Sequence, residues 1–441
     1  MDGSLVIPSS RHATASSVAL GSDAGQSHLV GEAIRRGQIV AHFQPLVSAR
    51  RQTVVGFEAL ARCKGPDRRN DTSAEWLFVK AAEEAITAEL ERHCCKVAIE
   101  TFARLQQLPR GLTLFVNLGS WLTVDPERGL GDLGQFVRDA GLAPQHIAIE
   151  ILEAQIEDVA LLQRLAQRLR ASGFLLVLDD VGKGHSNLDR VALIKPDVLK
   201  LDRSLVSRLD RDFHKQETLK SLVGLSRRIG AATVAEGIET EQEAIVSLEL
   251  GVDMLQGYFL GRPQPEESVN RITCEASRTI GSLAHRFKDF MIKKIHRRRV
   301  QHRLVSAVAK DVVERLEVRT REEFDSALED VVQVHPDIEC LYVLDHSGVQ
   351  MTDTMMSPSV SRRQRGMVFD SSAKGADHSL MDYFYALVGA ELKQFTSAAH
   401  VSLASGGVCR TMSAQFQHRH TNQVYVLCME VSAPDVTYQL R

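Results

Sequence analysis

Eight short apolar segments recur between residues 28 and 268, and stretches with helical spacing separate most of them. In chain order they are 39–47, 54–62, 112–118, 146–153, 174–180, 198–202, 232–238 and 254–260. Strands that alternate with helices are typical of βαβ units and a parallel sheet. Eight such units in about 240 residues fit a (β/α)8 barrel of the TIM type. The sequence therefore predicts an α/β barrel over residues 28–268.

The first two predicted strands are an exception to this alternation. Only residues 48–53 join them, whereas two parallel neighbours need a connection of about a dozen residues or more. This pair should therefore form an antiparallel hairpin. The barrel is expected to be modified at its first strand.

The rest of the chain divides into three parts. Residues 1–27, rich in Ser, Ala, Gly and Thr, are expected to form a disordered tail. Residues 269–310 are predicted to be a helical connector, because no Gly or Pro occurs from 282 to 335. Residues 311–441 are predicted to be a small α+β domain with strands at 340–345, 349–352, 396–403, 407–415 and 423–431. Thr320 and Glu323 have the spacing of a capping box at a helix start.

Charge and cysteine content exclude several classes of protein. The 53 basic and 56 acidic residues give a net charge of −3, so no nucleic-acid partner is expected. Seven widely spaced cysteines without a C-x-x-C pair indicate neither a disulfide scaffold nor structural zinc. No apolar run approaches the roughly 20 residues of a transmembrane helix, so we expect a cytoplasmic protein without a transmembrane segment. Residues 286–303 contain eight Lys or Arg and one acidic residue. This basic segment is predicted to be a solvated helix face rather than a binding site for lipid or nucleic acid, and its role stays open.

Acidic and amide side chains end six of the predicted barrel strands. They are Glu58, Asn117, Glu150, Glu153, Asp179, Asp180, Asp202, Glu236 and Glu239. Active sites of this fold lie at the C-terminal ends of the strands, so these groups should converge. Converging carboxylates repel unless a cation is present, and oxygen ligands select Mg²⁺ or Mn²⁺ over Zn²⁺.

The same set of residues indicates a type of chemistry. The neighbouring Asp179 and Asp180 can bridge two metal ions, which suits phosphodiester hydrolysis. Lys200 can orient the attacking water or stabilise developing charge. Taken singly, each of these residues is more often a solvated loop residue, a helix cap or a surface lysine. The metal-site hypothesis depends on the whole set.

Several motifs resemble the EAL-domain cyclic-di-GMP phosphodiesterases. The run GFEALAR at 56–62 looks like the signature of that family. Further blocks follow in the family's order: FQPLV at 43–47, FVNLGS at 115–120, IEILE at 149–153, LDDVGKGHSNL at 178–188, KPDVLKLDRSLV at 195–206, VAEGIET at 234–240 and LQGYFLGRPQP at 255–265. The resemblance covers residues 28–268. It implies a barrel with an antiparallel first strand.

The resemblance also implies an activity and roles for individual residues. The family hydrolyses cyclic di-GMP to linear pGpG with Mg²⁺ or Mn²⁺, with two ions expected. By motif, the metal ligands would be Glu58, Asn117, Glu150, Asp179, Asp180 and Asp202. The catalytic residues would be Lys200, Glu236 and Glu58, with Lys200 positioning the water. Substrate contacts would be Gln44, Leu60, Arg62 and Gln256, and supporting residues Glu153 and Glu239.

One loop departs from the family pattern. Where the family reads DDFGTGYSSL, this chain has Val181, Lys183 and His185 in place of Phe, Thr and Tyr. The departure keeps a second hypothesis open, a cyclic-di-GMP receptor of weak or no activity. A third is an interaction protein that no longer uses the nucleotide. No GG[DE]EF cyclase motif occurs.

The C-terminal part has a weaker resemblance. Tyr342-Val-Leu-Asp345-x-x-Gly348 resembles the strand and turn of PAS-like and Cache-like sensor domains. It implies a sensory or dimerising domain that regulates the barrel and takes an unknown small ligand or protein partner. A purely structural cap is the alternative. A homodimer is expected from the family resemblance and from the apolar helical connector.

Overall fold

The computed structural model of the protein describes residues 29–64, 72–105, 111–152, 158–183, 188–360 and 374–433. The predicted N-terminal tail, Glu153 and His185 lie outside these residues. Within the described ranges, no helix is both long and apolar enough to cross a bilayer.

Eight strands close into a barrel in chain order, as predicted. They are β1 Ile39–Ser48, β2 Thr53–Cys63, β3 Thr113–Asn117, β4 Ile147–Leu152, β5 Leu175–Val181, β6 Val198–Leu201, β7 Ala232–Ala235 and β8 Met254–Leu255. All neighbours from β2 to β8 are parallel. The predicted fold class, an α/β barrel, is therefore confirmed.

Strand β1 runs antiparallel to both of its neighbours, β2 and β8. The predicted hairpin is confirmed, and the short connection between β1 and β2 is its cause. The pairing register shifts between Leu46 and Val47, where the ladder contains a bulge. Because β1 is reversed, the start of β1 lies at the same end of the barrel as the C-terminal ends of the other strands.

Among the described residues, ten helices surround the barrel. They are α1 Leu29–Arg35, α2 Ala74–Glu83, α3 Thr87–Arg104, α4 Trp121–Val124, α5 Pro126–Asp139, α6 Val159–Ala171, α7 Leu188–Ile194, α8 Arg203–Val206, α9 Phe213–Ile229 and α10 Glu241–Glu249. Helix α6 illustrates how the sequence forms them. The Asp158 carboxylate accepts the first backbone N–H groups, and Leu162, Leu165, Ala166 and Leu169 form one buried face.

Two barrel strands are shorter than the sequence predicts by three residues or more. Strands β7 and β8 end at Ala235 and Leu255, so Glu236 and Gln256 follow their strands immediately. The chain turns at Gly257, where a Cβ atom would lie 2.2 Å from the Ile238 carbonyl oxygen. Only glycine allows this approach of two backbones. The contact holds the residues after β7 and β8 side by side at the barrel mouth.

A single 48-residue helix, α11 Val269–Leu316, follows the barrel. Its first half contacts β1 and β2, and its second half contacts β13 and β14 of the C-terminal domain. Two basic residues of the segment 286–303 form ion pairs with α10. Arg286 pairs with Glu241 of α10 at 2.6 Å, and the buried Lys294 pairs with Glu249 at the end of the same helix.

The C-terminal domain is an α+β unit around a six-stranded antiparallel sheet. Its elements are α12 Phe324–Val334, β9 Ile338–Asp345, β10 Met355–Met356, α13 Asp382–Gly389, β11 Gln394–Thr396, β12 His400–Val401, β13 Val408–Gln417 and β14 Val424–Ser432. The strand order is β10-β9-β14-β13-β11, with β12 also on β13. Helices α11 and α12 pack on one face and α13 on the other. The capping box of Thr320 and Glu323 is present.

Two strand predictions in this domain are wrong in detail. Residues 349–352 form isolated bridges only, and the Thr352 hydroxyl accepts the Val343 N–H that a ladder would give to a carbonyl. The predicted strand 396–403 is two short strands, because the Thr411 N–H is bonded to the Ser397 hydroxyl. In both places a side-chain oxygen replaces a backbone acceptor. Helix α13 was not predicted.

The Lys294–Glu249 pair should contribute to stability, since its side chains are only 8% and 12% exposed. We expect Lys294→Met to lower the free energy of unfolding by about 3 kcal/mol, because the Glu249 carboxylate then loses its buried partner. Lys293→Met, at an exposed neighbouring position, is the matched control. Equal thermal unfolding midpoints for the two variants would contradict this role of the pair.

Candidate active site

The polar residues at the barrel mouth stand on a closed apolar floor. Side chains two residues apart on a strand share a face, so each polar residue has an apolar neighbour below it. The residues of this floor are Leu46, Phe115, Ala148, Val177, Val198 and Val234. They lie two positions from Gln44, Asn117, Glu150, Asp179, Lys200 and Glu236, respectively. The alternation therefore confines the charged groups to one end of the barrel.

The Lys200 ammonium is at the centre of this end. Its side chain is 1% exposed and faces four carboxylates on four other elements. Its Nζ atom lies 2.6 Å from Glu150, 2.7 Å from Glu236, 3.2 Å from Glu58 and 3.5 Å from Asp179. One cation thus holds four acidic groups that come from distant parts of the sequence.

The cluster perturbs the proton affinity of its members. Burial, with the Glu58 carboxylate second, raises the pKa of Glu150 well above its ordinary value. Burial also raises the pKa of Asp179, and it raises the pKa of Glu236 to about 8. For Lys200, burial lowers the pKa, but the four carboxylates outweigh it and raise the pKa well above its usual range. The site therefore holds more acidic groups than one ammonium balances, and without a bound cation some of them keep their protons.

Two hydrogen-bonded glutamine side chains, Gln256 and Gln44, form an amide chain that orients Glu58. The Gln256 Nε2 atom donates to Glu58 Oε2 at 2.6 Å and lies 3.3 Å from Gln44 Oε1. Gln44 in turn donates to the Gly261 carbonyl at 3.1 Å. The two glutamines, expected only as substrate contacts, also hold a carboxylate in place. Leu60 and Arg62 follow Glu58 on the same face of β2, and the Arg62 guanidinium donates to the Ala61 carbonyl at 2.7 Å.

The two neighbouring aspartates differ in conformation. Asp180 has a φ of +56°, in the left-handed region that Asp tolerates better than most residues. Its N–H donates to the Asp179 side chain at 2.9 Å, which keeps the two carboxylates on one side. Carboxylate oxygens of Asp179, Asp180 and Glu236 lie within 4.8 Å of one another. The Lys183 ammonium, from the divergent loop, contacts the Asp180 carboxylate at 2.9 Å.

The remaining residues singled out in the sequence lie around this centre. Asn117 is exposed at the rim and pairs in register with Glu150. The Asp202 carboxylate caps α8 by accepting the Ser204 N–H at 2.8 Å. Glu239 pairs with Arg203 at 2.9 Å and is 44% exposed. Sequence reasoning missed that Arg203 contact, and it missed Glu91 of α3, which accepts the Ser120 N–H just after β3.

The donor set fits hard divalent cations. Every candidate ligand atom is an oxygen, as Mg²⁺ and Mn²⁺ prefer. The Glu150 carboxylate is fully buried, and its Oε2 atom has no hydrogen-bond partner. Asp179, Asp180 and Glu236 offer three more oxygens beside it. A bound cation would give the Glu150 oxygen a partner and would replace the protons on the surplus acidic groups.

Comparison with protein-family models identifies the barrel. The EAL domain model matches residues 30–263, more than half of the chain. The chain therefore belongs to the EAL domain family. One relative is the cyclic di-GMP phosphodiesterase RocR of Pseudomonas aeruginosa, 28% identical over 52% of this chain and 59% of that protein. The chain spans less than two thirds of the length of such curated relatives, for instance 46% of the Escherichia coli protein PdeG.

Solved structures are similar to the chain as well. The YkuI protein of Bacillus subtilis, which has an EAL domain and was solved with cyclic di-GMP and calcium, covers 90% of this chain at 23% identity with a TM-score of 0.69. That match comprises 97% of YkuI, so the fold similarity extends beyond the barrel. The PaMucR phosphodiesterase, solved with cyclic di-GMP, covers 55% of this chain and 98% of its own at 27% identity and a TM-score of 0.50.

The raised carboxyl pKa values predict a pH-dependent stability of the metal-free protein. Folding raises the pKa of Glu236 from 4.5 to about 8, so the folded state binds more protons between these values. The stability contribution is full below pH 4.5 and is lost as the pH rises through 8. In EDTA, we expect a lower unfolding midpoint at pH 8.5 than at pH 6.5, and a smaller difference for Glu236→Gln. Calorimetry at both pH values measures this, and an equal pH dependence in both proteins would contradict it.

Proposed function

We propose that this protein hydrolyses cyclic di-GMP to linear pGpG at the mouth of the barrel, with Mg²⁺ or Mn²⁺ as cofactor. The observation that carries the proposal is the position of Lys200 among Glu58, Glu150, Asp179 and Glu236. Membership of the EAL domain family supports it, as does the identity of 28% to a named cyclic di-GMP phosphodiesterase.

Two metal ions would be held by the carboxylates of the mouth. The proposed ligands are Glu58, Asn117, Glu150, Asp179, Asp180 and Asp202. When bound, such ions supply Lewis-acid activation of the attacking water and neutralise charge on the phosphodiester. The orphaned Glu150 Oε2 atom and the grouping of Asp179, Asp180 and Glu236 support this assignment.

The protein's own groups would position the reactants. We assign Lys200 to hold the attacking water and stabilise developing negative charge, since its ammonium keeps its proton throughout the neutral range. Glu236, 2.7 Å away, holds that ammonium in place. Arg62 would bind a phosphate through its planar fork of donors. The guanine nucleotide would be contacted by Gln44, Gln256 and Leu60. The amide chain formed by the two glutamines would also keep Glu58 oriented.

A second candidate function is a cyclic-di-GMP receptor with weak turnover. The observation that favours it is the ion pair of Lys183 with Asp180. This hydrogen bond raises the pKa of Lys183, so the ammonium stays charged and competes with a metal ion for the same carboxylate. A residue of the divergent loop would thereby raise the metal concentration that the site needs.

We further propose that the C-terminal unit is a PAS-like domain that regulates the barrel. A contact between the two units supports this. Phe213, at the start of α9, packs against Val401, Val408 and Ala433 of the C-terminal sheet. Phe213 follows Lys200 and Asp202 closely in the sequence. A shift of the C-terminal sheet could therefore be transmitted to the site through this short segment. Exposed apolar residues of α11, including Ile292 and Leu304, support the expected homodimer.

Removing one ligand should abolish turnover without unfolding the barrel. We expect Glu58→Ala to lower the rate of pGpG formation by at least about a hundredfold, since even supporting residues of metal sites contribute 10–100-fold. Purified protein is incubated with cyclic di-GMP and Mg²⁺ or Mn²⁺, and products are separated by chromatography. Glu217→Gln, an exposed carboxylate on α9, is the control. Unchanged substrate with the wild-type protein and either metal would exclude hydrolysis, and a binding titration would then test the receptor.

The loop substitution should affect the metal requirement. We expect Lys183→Thr to lower the Mg²⁺ concentration at half-maximal rate by about two- to fivefold, the strength of a partly exposed ion pair. Lys183→Arg keeps the positive charge and should keep the wild-type requirement. A Mg²⁺ titration of initial rates for the three proteins measures this. A Lys183→Thr curve that overlies the wild-type curve would show that the pair does not compete with the metal.

A further inference from the structure

Three potential metal ligands from three neighbouring strands meet on one face of the C-terminal sheet. His400 of β12 is paired in register with Cys409 of β13. Glu430 of β14 is paired with Thr411, two residues from Cys409 and on the same face. The Nε2, Sγ and carboxylate oxygen atoms of His400, Cys409 and Glu430 all lie within 4.8 Å of one another. This cluster lies in a different domain from the barrel site.

Two of the three separations are close to the edges of a metal tetrahedron, and the third is within 4.8 Å. His400 Nε2 and Cys409 Sγ are 3.5 Å apart, and Cys409 Sγ and Glu430 Oε2 are 3.8 Å apart. Tetrahedral Zn²⁺, with bonds of about 2.3 Å to sulfur and about 2.0 Å to nitrogen or oxygen, sets its ligands roughly 3.5 Å apart. The atoms therefore stand near the positions that a single ion requires.

Neighbouring groups already hold two of these ligands in orientation. The Ala398 carbonyl lies 3.2 Å from His400 Nδ1, so it can accept that N–H and leave the Nε2 lone pair, which the Thr411 hydroxyl approaches at 3.4 Å, as the metal-binding atom. The Ser402 hydroxyl donates to Glu430 Oε2 at 2.6 Å. Supporting hydrogen bonds of this kind are typical of metal-ligating histidines and carboxylates.

The cluster borders a cavity of about 380 Å³ between the sheet and α13. His400 and Glu430 line the cavity wall, and Cys409 lies fully buried beside them. The wall also contains apolar residues, such as Met381 and Leu403, and the polar pair His378 and Tyr383, whose side chains are 2.6 Å apart. An ion bound by the three residues would have its fourth coordination position toward this space.

We propose that His400, Cys409 and Glu430 form a Zn²⁺ site in the C-terminal domain, with one coordination position open to the adjacent cavity. The ligand chemistry selects the metal. A thiolate and an imidazole favour Zn²⁺, whereas Mg²⁺ and Mn²⁺ take oxygen ligands. The site thus differs in metal preference from the barrel. The open coordination position also defines the class of ligand that the cavity would take. Such a ligand is a small molecule or anion that can give one donor atom to the Zn²⁺ ion.

Cobalt titration of the full-length protein tests the proposal. Co²⁺ occupies tetrahedral zinc sites, and a thiolate ligand gives a near-ultraviolet charge-transfer band that an all-oxygen site cannot give. Metal-free, reduced protein is titrated with Co²⁺ while excess Mg²⁺ is present for the barrel. We expect the band to saturate at one equivalent of Co²⁺ and to disappear when Zn²⁺ is added.

Three variants identify the ligands. Cys409→Ser should abolish the band, whereas Cys274→Ser, at an exposed cysteine on α11, should keep it. Glu430→Gln keeps the thiol and should weaken Co²⁺ binding by at least about tenfold, which tests the site even where Cys409→Ser does not fold. A wild-type protein without the band would overturn the proposal, and so would a Glu430→Gln titration equal to that of the wild type.

Discussion

The barrel mouth depends on the attraction between one buried ammonium and four carboxylates. Lys200 is 1% exposed, and each of its partners comes from a different strand or strand end. Without this cation the mouth would gather four like charges at largely buried positions, which folding cannot tolerate unless they bind protons. The arrangement also leaves more acidic groups than the ammonium balances. The same interaction therefore maintains the fold and keeps the site attractive to divalent cations.

Much of the barrel was predictable because its signals are local or periodic. Eight apolar segments, the short link between β1 and β2, and the polar residue at each strand end follow directly from spacing. Parallel strands bring those ends together whatever the details of the helices. The contacts of Lys200 were not predictable, because its four partners are separated by up to 178 residues in sequence, from Glu58 to Glu236. The use of Gln256 to orient Glu58 is equally a property of the closed barrel.

The C-terminal domain was harder to predict for a physical reason. Its strands are interrupted where Ser397 and Thr352 side chains take the place of backbone acceptors, and no periodicity in the sequence records such an exchange. The cluster of His400, Cys409 and Glu430 has no motif spacing either, since each residue comes from a different strand. Antiparallel register, known only from the fold, brings the three together. A search for short cysteine motifs cannot find such a group.

Helix α11 has a mechanical consequence for the whole chain. At 1.5 Å per residue, its 48 residues form a rod of about 72 Å that contacts the barrel near one end and the C-terminal sheet near the other. A tilt of about 5° at the barrel would displace the far end by roughly 6 Å for a rod of this length. The ion pairs of Arg286 and Lys294 with α10, and the packing of Phe213 against the C-terminal sheet, oppose such a tilt. The helix therefore joins the two domains as one continuous element, so a change of its tilt would have to be accommodated by contacts in both of them.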